Sequence, residues 1–178
     1  MSTSGFLNTL VETTVHLLPS KLTNLEDGIR AVLSRTLMRY NTDLEGIIVS
    51  YDKLQVLQDE AEIFFERPHL HFNIRFRALI YRPTVGSYVL ATVNNIADGD
   101  NIGLLVHGLF NAVLLPSKGA LSQDYSYYKD SQSWINSTTQ ESITVGTQLR
   151  LKVTRLEQSA GMISMQTSML DDMTGIIR

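Results

Sequence analysis

Apolar residues alternate with polar ones over Leu70 to Tyr81 more strictly than anywhere else in the chain. Leu70, Phe72, Ile74, Phe76, Ala78 and Ile80 occupy the even positions, and His71, Asn73, Arg75 and Arg77 stand among the odd ones. A period of two places one set against a core and the other toward solvent or a partner, so this segment is predicted as a half-buried strand. Upstream, Leu25, Ile29, Leu33, Leu37 and Tyr40 recur at helical spacing. Thr23 or Asn24 can cap that helix, and Glu26 and Asp27 lie where its dipole favours negative charge. Arg35 and Arg39 stand toward its other end. Glu12 to Leu18 reads as a strand stopped by Pro19, and Ile47 to Val49 and Leu54 to Leu57 read as extended. The first half is therefore predicted as β-α-β-β, one helix on a small antiparallel sheet.

Pro83 to Gly86 interrupts the pattern and divides the chain into residues 1–83 and 84–178. Beyond it, Tyr88 to Ile96, Ile102 to His107 and Leu109 to Leu115 read as short strands. Asp98 to Asn101 and Gly108 supply the turns between them. Residues 117–146 are rich in Ser, Gln, Thr and Tyr and read as a long surface loop. Leu149, Leu151 and Val153 alternate again, and Met162 to Thr167 follows a turn at Ser159, Ala160 and Gly161. Five short strands with an insertion between the third and fourth suit a small barrel of the oligonucleotide-binding type. The expected class is α+β.

The chain of 178 residues carries a net charge of -3, so it lacks the overall basic field of a free-standing nucleic-acid binder. It has no cysteine, which excludes disulfides, thiolate metal sites and a cysteine nucleophile. No secretion leader or membrane-spanning run is read from it, so an intracellular protein without membrane contact is expected. No phosphate loop, dinucleotide fingerprint or nucleophile elbow is present, so no catalytic residue and no cofactor are assigned.

The order of elements resembles the stalk subunits of archaeal and eukaryotic DNA-directed RNA polymerases, in which a truncated ribonucleoprotein-like tip domain precedes an OB-type barrel. Three stretches carry the resemblance: FRALIYRPTVG at residues 76–86, LVHGLFNA at 105–112 and SMLDDMTGI at 168–176. The second, with HLHFN at 69–73, is similar to the RNA polymerase I member of that family. The glycine-rich tip loop of the polymerase II relative is absent, and Asp43 to Ile47 takes its place. The chain as given stops soon after the barrel, so no long C-terminal tail is expected.

The resemblance implies a nuclear and nucleolar subunit that docks on the polymerase I core through its tip, with Leu44, Glu45, Gly46 and Ile47 as the inserted turn. It further implies a heterodimer with a smaller stalk subunit, recruitment of the initiation factor TIF-IA, and contact with nascent RNA. The family's other polymerase members and a free RNA-binding module are the alternatives.

Candidate chemistry is sparse. Arg150 and Lys152 share one face of a strand and Arg155 lies beside it, a basic patch for RNA, with Tyr88, Phe110, Tyr125, Tyr127 and Tyr128 as stacking surfaces. Trp134, alone of its kind, suits an interface anchor, and Asp171 and Asp172 a docking turn. His69 and His71 have metal-ligand spacing, but nothing in the sequence brings His16 or His107 to them, so they are read as exposed polar positions and no metal is assigned. His107-Gly108 reads as a tight turn.

Overall fold

The computed structural model describes residues 5–58, 60, 62–63, 69–97, 99–159 and 161–177. Residues 1–4, and Asp98 and Ala160 of the expected turns, lie outside the described residues. The described residues are mixed α+β, mostly strand with one α-helix among them, and the chain's contacts divide it between Arg82 and Pro83 into two compact units.

In the first unit β1 (Phe6–Leu17) leads through a 3-10 turn, Pro19–Asn24, into α1 (Leu25–Ser34). β2 (Tyr40–Asn41), β3 (Gly46–Val56), β4 (Glu62–Ile63) and β5 (Leu70–Tyr81) follow. The sheet runs β1-β5-β3-β2, with β4 beside the start of β5, and all pairs are antiparallel. β5 sits centrally because its apolar face is continuous. Phe72, Ile74, Phe76, Ala78 and Ile80 are buried with Val15, Leu17 and Ile48 against Ile29 and Leu33 of the helix. Each of these side chains larger than Ala78 stabilises the fold by about 1.5–3 kcal/mol.

The helix stops at Ser34, earlier than the apolar spacing suggests. Met38 has a left-handed φ of 59°, and its N–H bonds to Ile48, turning the chain into the sheet. Asn24 caps the helix without a side-chain bond to backbone; its amide pairs with the Asp27 carboxylate. The two extended pieces expected at residues 47–57 are one strand, bent by irregularities at Ile48/Ser50 and Asp52/Gln55.

The opposite face of this sheet is polar and internally matched. Arg75 Nε donates to Glu12 at 2.7 Å and Arg77 Nε to Asp52 at 2.7 Å. Thr14, Asn73 and Gln58 continue the row as a hydrogen-bonded chain. Charges placed opposite each other across strands neutralise the face without any partner.

In the second unit β6 (Tyr88–Ala97), β7 (Asn101–Val106) and β8 (Phe110–Leu114) form an antiparallel meander. Residues 117–146, expected as a loop, contain a small sheet of β9 (Tyr125–Tyr128), β10 (Ser133–Asn136) and β11 (Ser142–Ile143). β12 (Gln148–Ser159), β13 (Met162–Ser168) and a short β14 (Gly175–Ile176) complete the chain. β13 pairs in parallel with β8 and antiparallel with β12, and β12 pairs with β6, so five strands close a ring. Val93, Ile102, Leu104, Val106, Leu114 and Met165 are among the side chains filling it.

Val106 to Leu109 forms the expected tight turn, with His107 and Gly108 both left-handed and the Leu109 N–H bonded to Val106 at 3.1 Å. That geometry matches the right-handed twist of the joined strands.

Candidate interaction sites

The turn between β2 and β3 is held from several sides. Asn41 Oδ1 accepts the Leu44 N–H at 2.9 Å, and the Glu45 N–H bonds to the Thr42 carbonyl at 3.2 Å. Glu45 is left-handed, with φ 47°, and Arg82 Nη2 donates to the Leu44 carbonyl at 2.5 Å. Gly46 is required by space: a Cβ there would lie 2.5 Å from Ile80 Cγ2 and 2.9 Å from the Tyr81 carbonyl oxygen. Of the four residues expected to dock, Glu45 alone is exposed. Leu44 is half-buried on the core, and Gly46 and Ile47 are buried in the sheet. Thr42 and Asp43, at the crown of the turn, are exposed as well.

The structure brings the three basic residues onto one face of β12, by a route the sequence hides. Strict alternation would turn Arg155 inward, but an irregularity between Val153 and Arg155 admits an extra residue, and Arg155 then pairs with Gln166. Tyr88 lies alongside on β6. The Arg150 guanidinium carbon sits 5.4 Å from its ring centroid and Lys152 Nζ 5.9 Å. These distances are within cation–π range.

Acids offset part of the patch. Lys152 Nζ contacts Asp171 at 2.8 Å, and Arg155 lies 3.8 Å from Glu157. Bonds from Lys152, from the Met173 N–H and from the Tyr88 hydroxyl hold the Asp171 carboxyl down at about 2. The same carboxylate raises Lys152 and Tyr88. Arg150 forms no ion pair among the described residues, and its Nε is buried without a hydrogen bond.

The two aspartates therefore separate. Asp171 fastens the chain ahead of β14 to the outside of the barrel, whereas Asp172 is exposed.

Trp134 lies on β10, opposite Tyr127 of β9 and Ile143 of β11. Its ring is 5.6 Å from that of Tyr127 and lines a cavity of about 370 Å³ together with Tyr125, Pro116 and Leu121. Phe110, named as a stacking surface, is instead 3% exposed and belongs to the barrel core. Tyr128 is half exposed.

His16 and His71 face each other across β1 and β5, ring centroids 4.2 Å apart. Sequence reasoning missed this because β1 begins six residues before the segment expected, and only the full register aligns its end with the start of β5. Among the described residues no three His, Asp or Glu side chains are grouped to hold a metal ion.

No protein-family model matches the chain. It is 30% identical over 168 residues to the probable DNA-directed RNA polymerase I subunit RPA43 of Dictyostelium discoideum, covering 94% of this chain and 46% of that protein. It is 32% identical over 146 residues to the DNA-directed RNA polymerase I subunit RPA43 of Homo sapiens, covering 82% and 39%. For the Danio rerio subunit of the same name the values are 29% over 157 residues, 88% and 37%. The chain thus spans less than half the length of these relatives. The similarities bear out the resemblance to the stalk subunits and to their RNA polymerase I member, the A43-type subunit.

Proposed function

We propose that this chain, a relative of the RNA polymerase I subunit RPA43, is a non-catalytic stalk subunit of RNA polymerase I. The observation that carries the reading is an alignment running through both compact units, over 94% of the chain, to a protein named as a subunit of that enzyme. Conserved chemistry is not needed for such a role; binding and positioning are.

In this reading residues 1–83 are the ribonucleoprotein-like tip domain and 84–178 the OB-type barrel. The single helix after β1 and the long strands β3 and β5 that follow it, with the two-residue β2 and β4 beside them, and the parallel β8–β13 closure of the second unit support those assignments. The turn of Leu44, Glu45, Gly46 and Ile47 docks on the polymerase core. Trp134 and the outward Asp172 belong to protein interfaces, and Asp171 positions the segment that carries Asp172. A smaller stalk subunit completes a heterodimer, the pair recruits TIF-IA, and the complex works in the nucleus and nucleolus. Affinity purification of the tagged chain at high salt, followed by mass spectrometry, tests this. Recovery of the two largest polymerase I subunits in near-equal amount supports it; recovery of the chain alone, or with RNA and no polymerase, sinks it.

Contact with nascent RNA is a second element, favoured by Tyr88 beneath Arg150 and Lys152. With two phosphates engaged, log affinity for single-stranded RNA should fall against log salt with a slope of about −1.4. Arg150→Ala should flatten that slope by about half. A slope of zero for the wild-type chain removes RNA from the reading.

A further inference from the structure

Beside the crown of the β2–β3 turn the first unit opens into a cavity of about 160 Å³. Leu33, Ile48 and Phe76, core residues each under 5% exposed, form its floor. Asp43 stands on its rim, and among the described residues no Lys, Arg or His lines it; Glu12 lines it only through its backbone, its carboxylate lying on the opposite face of the sheet with Arg75. Asp43 makes no ion pair or hydrogen bond among the described residues. Thr13, Thr36 and Asn41 add oxygen acceptors around the same mouth.

An apolar floor beneath an anionic, acceptor-rich rim is complementary to a side chain with a hydrocarbon stem and a cationic head. Arginine fits this better than lysine. Its guanidinium distributes five donors in a rigid fork matched to a carboxylate, it is more weakly hydrated than an ammonium, and its stem covers apolar surface. Arginine is also enriched at protein interfaces.

We propose that this cavity seats an arginine side chain of a protein partner, its stem on Leu33, Ile48 and Phe76 and its guanidinium on the carboxylate of Asp43. This rests on the reading of the turn as a docking element and changes what the turn contributes. Leu44, Gly46 and Ile47 are committed to the fold, so the turn receives a side chain from the partner and its buried residues hold the receiving geometry. The bonds from Asn41 and Arg82 keep that geometry fixed before binding, which reduces the ordering cost of association.

Two measurements test it. In the first, the isotope-labelled chain is titrated with N-acetyl-L-arginine methylamide and, in parallel, with the neutral isostere N-acetyl-L-citrulline methylamide. Saturable amide shifts at Thr13, Thr36 and Asp43 in the millimolar range are expected with arginine alone. They should weaken about tenfold in Asp43→Asn, a change at an exposed position that leaves the melting curve in place. Equal shifts from citrulline, or arginine shifts confined to other residues, overturn the proposal.

The second compares polymerase recovered with tagged wild-type and Asp43→Lys chains. A fall of about tenfold in the variant is expected, since a like charge at the seat repels the incoming head. Undiminished recovery with Asp43→Lys overturns the arginine seat while the stalk reading stands. No polymerase with the wild-type chain sinks the stalk reading, and the titration still decides whether the cavity selects arginine.

Discussion

Replacing Gly46 by alanine should destabilise the chain for a reason unrelated to glycine's backbone freedom, and a second glycine provides the contrast. Gly46 has an ordinary backbone angle but no room: the new Cβ would meet Ile80 Cγ2 at 2.5 Å and the Tyr81 carbonyl oxygen at 2.9 Å. The Ile80 methyl is held in the core, and the Tyr81 backbone is fixed between β1 and β3. Neither neighbour can retreat cheaply, so β3 and β5 must part locally. Overpacking of this kind costs about 1–3 kcal/mol, and a clash with backbone belongs near the upper end. Gly86 is the reverse case. Its φ is 86°, and a Cβ there meets nothing within 4 Å. Alanine at that site should cost about 1–2 kcal/mol from the left-handed backbone alone.

Asparagine separates the two mechanisms. It tolerates left-handed angles, so Gly86→Asn should be milder than Gly86→Ala, whereas Gly46→Asn, being bulkier, should be worse than Gly46→Ala. Urea unfolding followed by far-ultraviolet circular dichroism, analysed with a shared slope, gives all four differences. If Gly46→Ala lies within about 0.5 kcal/mol of wild type, the steric argument fails. If asparagine is the milder substitution at position 46, the cause is conformational instead.

Three further outcomes are expected. Because Asp171 is held at about 2 in the folded chain, below its ordinary value of 3.8, its contribution is present above the ordinary value and is lost as pH falls through about 2. Asp171→Asn should therefore flatten stability against pH in that acid window, and identical acid limbs for the two proteins would contradict the assignment. Ile29→Ala, which empties a position with 0% exposure between helix and sheet, should cost about 2–5 kcal/mol by the same urea assay; a loss under 1 kcal/mol would mean that the helix is not packed as described. A double-mutant cycle on Asp52 and Arg77 should give a coupling of at most about 1 kcal/mol, since both side chains are near half exposed and solvent screens them. Coupling well above that would show that the polar sheet face is shielded from water.

Strand β5 is legible from end to end because Leu70, Phe72, Ile74, Phe76, Ala78 and Ile80 all join one buried cluster, which keeps the even positions apolar. β6, β7, β8 and β13 are legible within a residue or two because each buries one face in the barrel, whereas β12 runs on to Ser159, well past the alternation at Leu149, Leu151 and Val153. Legibility fails where packing is local or partial. β1 extends to Phe6 on polar and half-buried residues that pair through backbone bonds, which composition does not report. The 117–146 segment reads as a loop because its strands are built on Tyr, Ser and Trp, whose stacking across β9 and β10 replaces an aliphatic core. At the sites, the shared face of Arg150 and Lys152 follows from a spacing of two. Arg155 joins them only through an irregularity; Glu157 stands two positions along the same strand, whereas Asp171 is brought to Lys152 by the turn ahead of β14. Asp43, which carries the arginine proposal, has no sequence signal of its own; its meaning comes from the cavity beside it.

The pairing of β1 with β5 also sets a timetable for synthesis. Leu17 must wait for Leu70 and Phe6 for Tyr81, separations of roughly fifty to seventy-five residues. At about 5–20 residues per second, the first strand leaves the ribosome several seconds before β5, its sheet neighbour among the described residues, exists. For that interval its twelve residues, with Glu12 their one formal charge at neutral pH, have no native strand to bind. Until β5 is made, β1 carries an unpaired row of backbone donors and acceptors, the kind of edge that can pair with another chain.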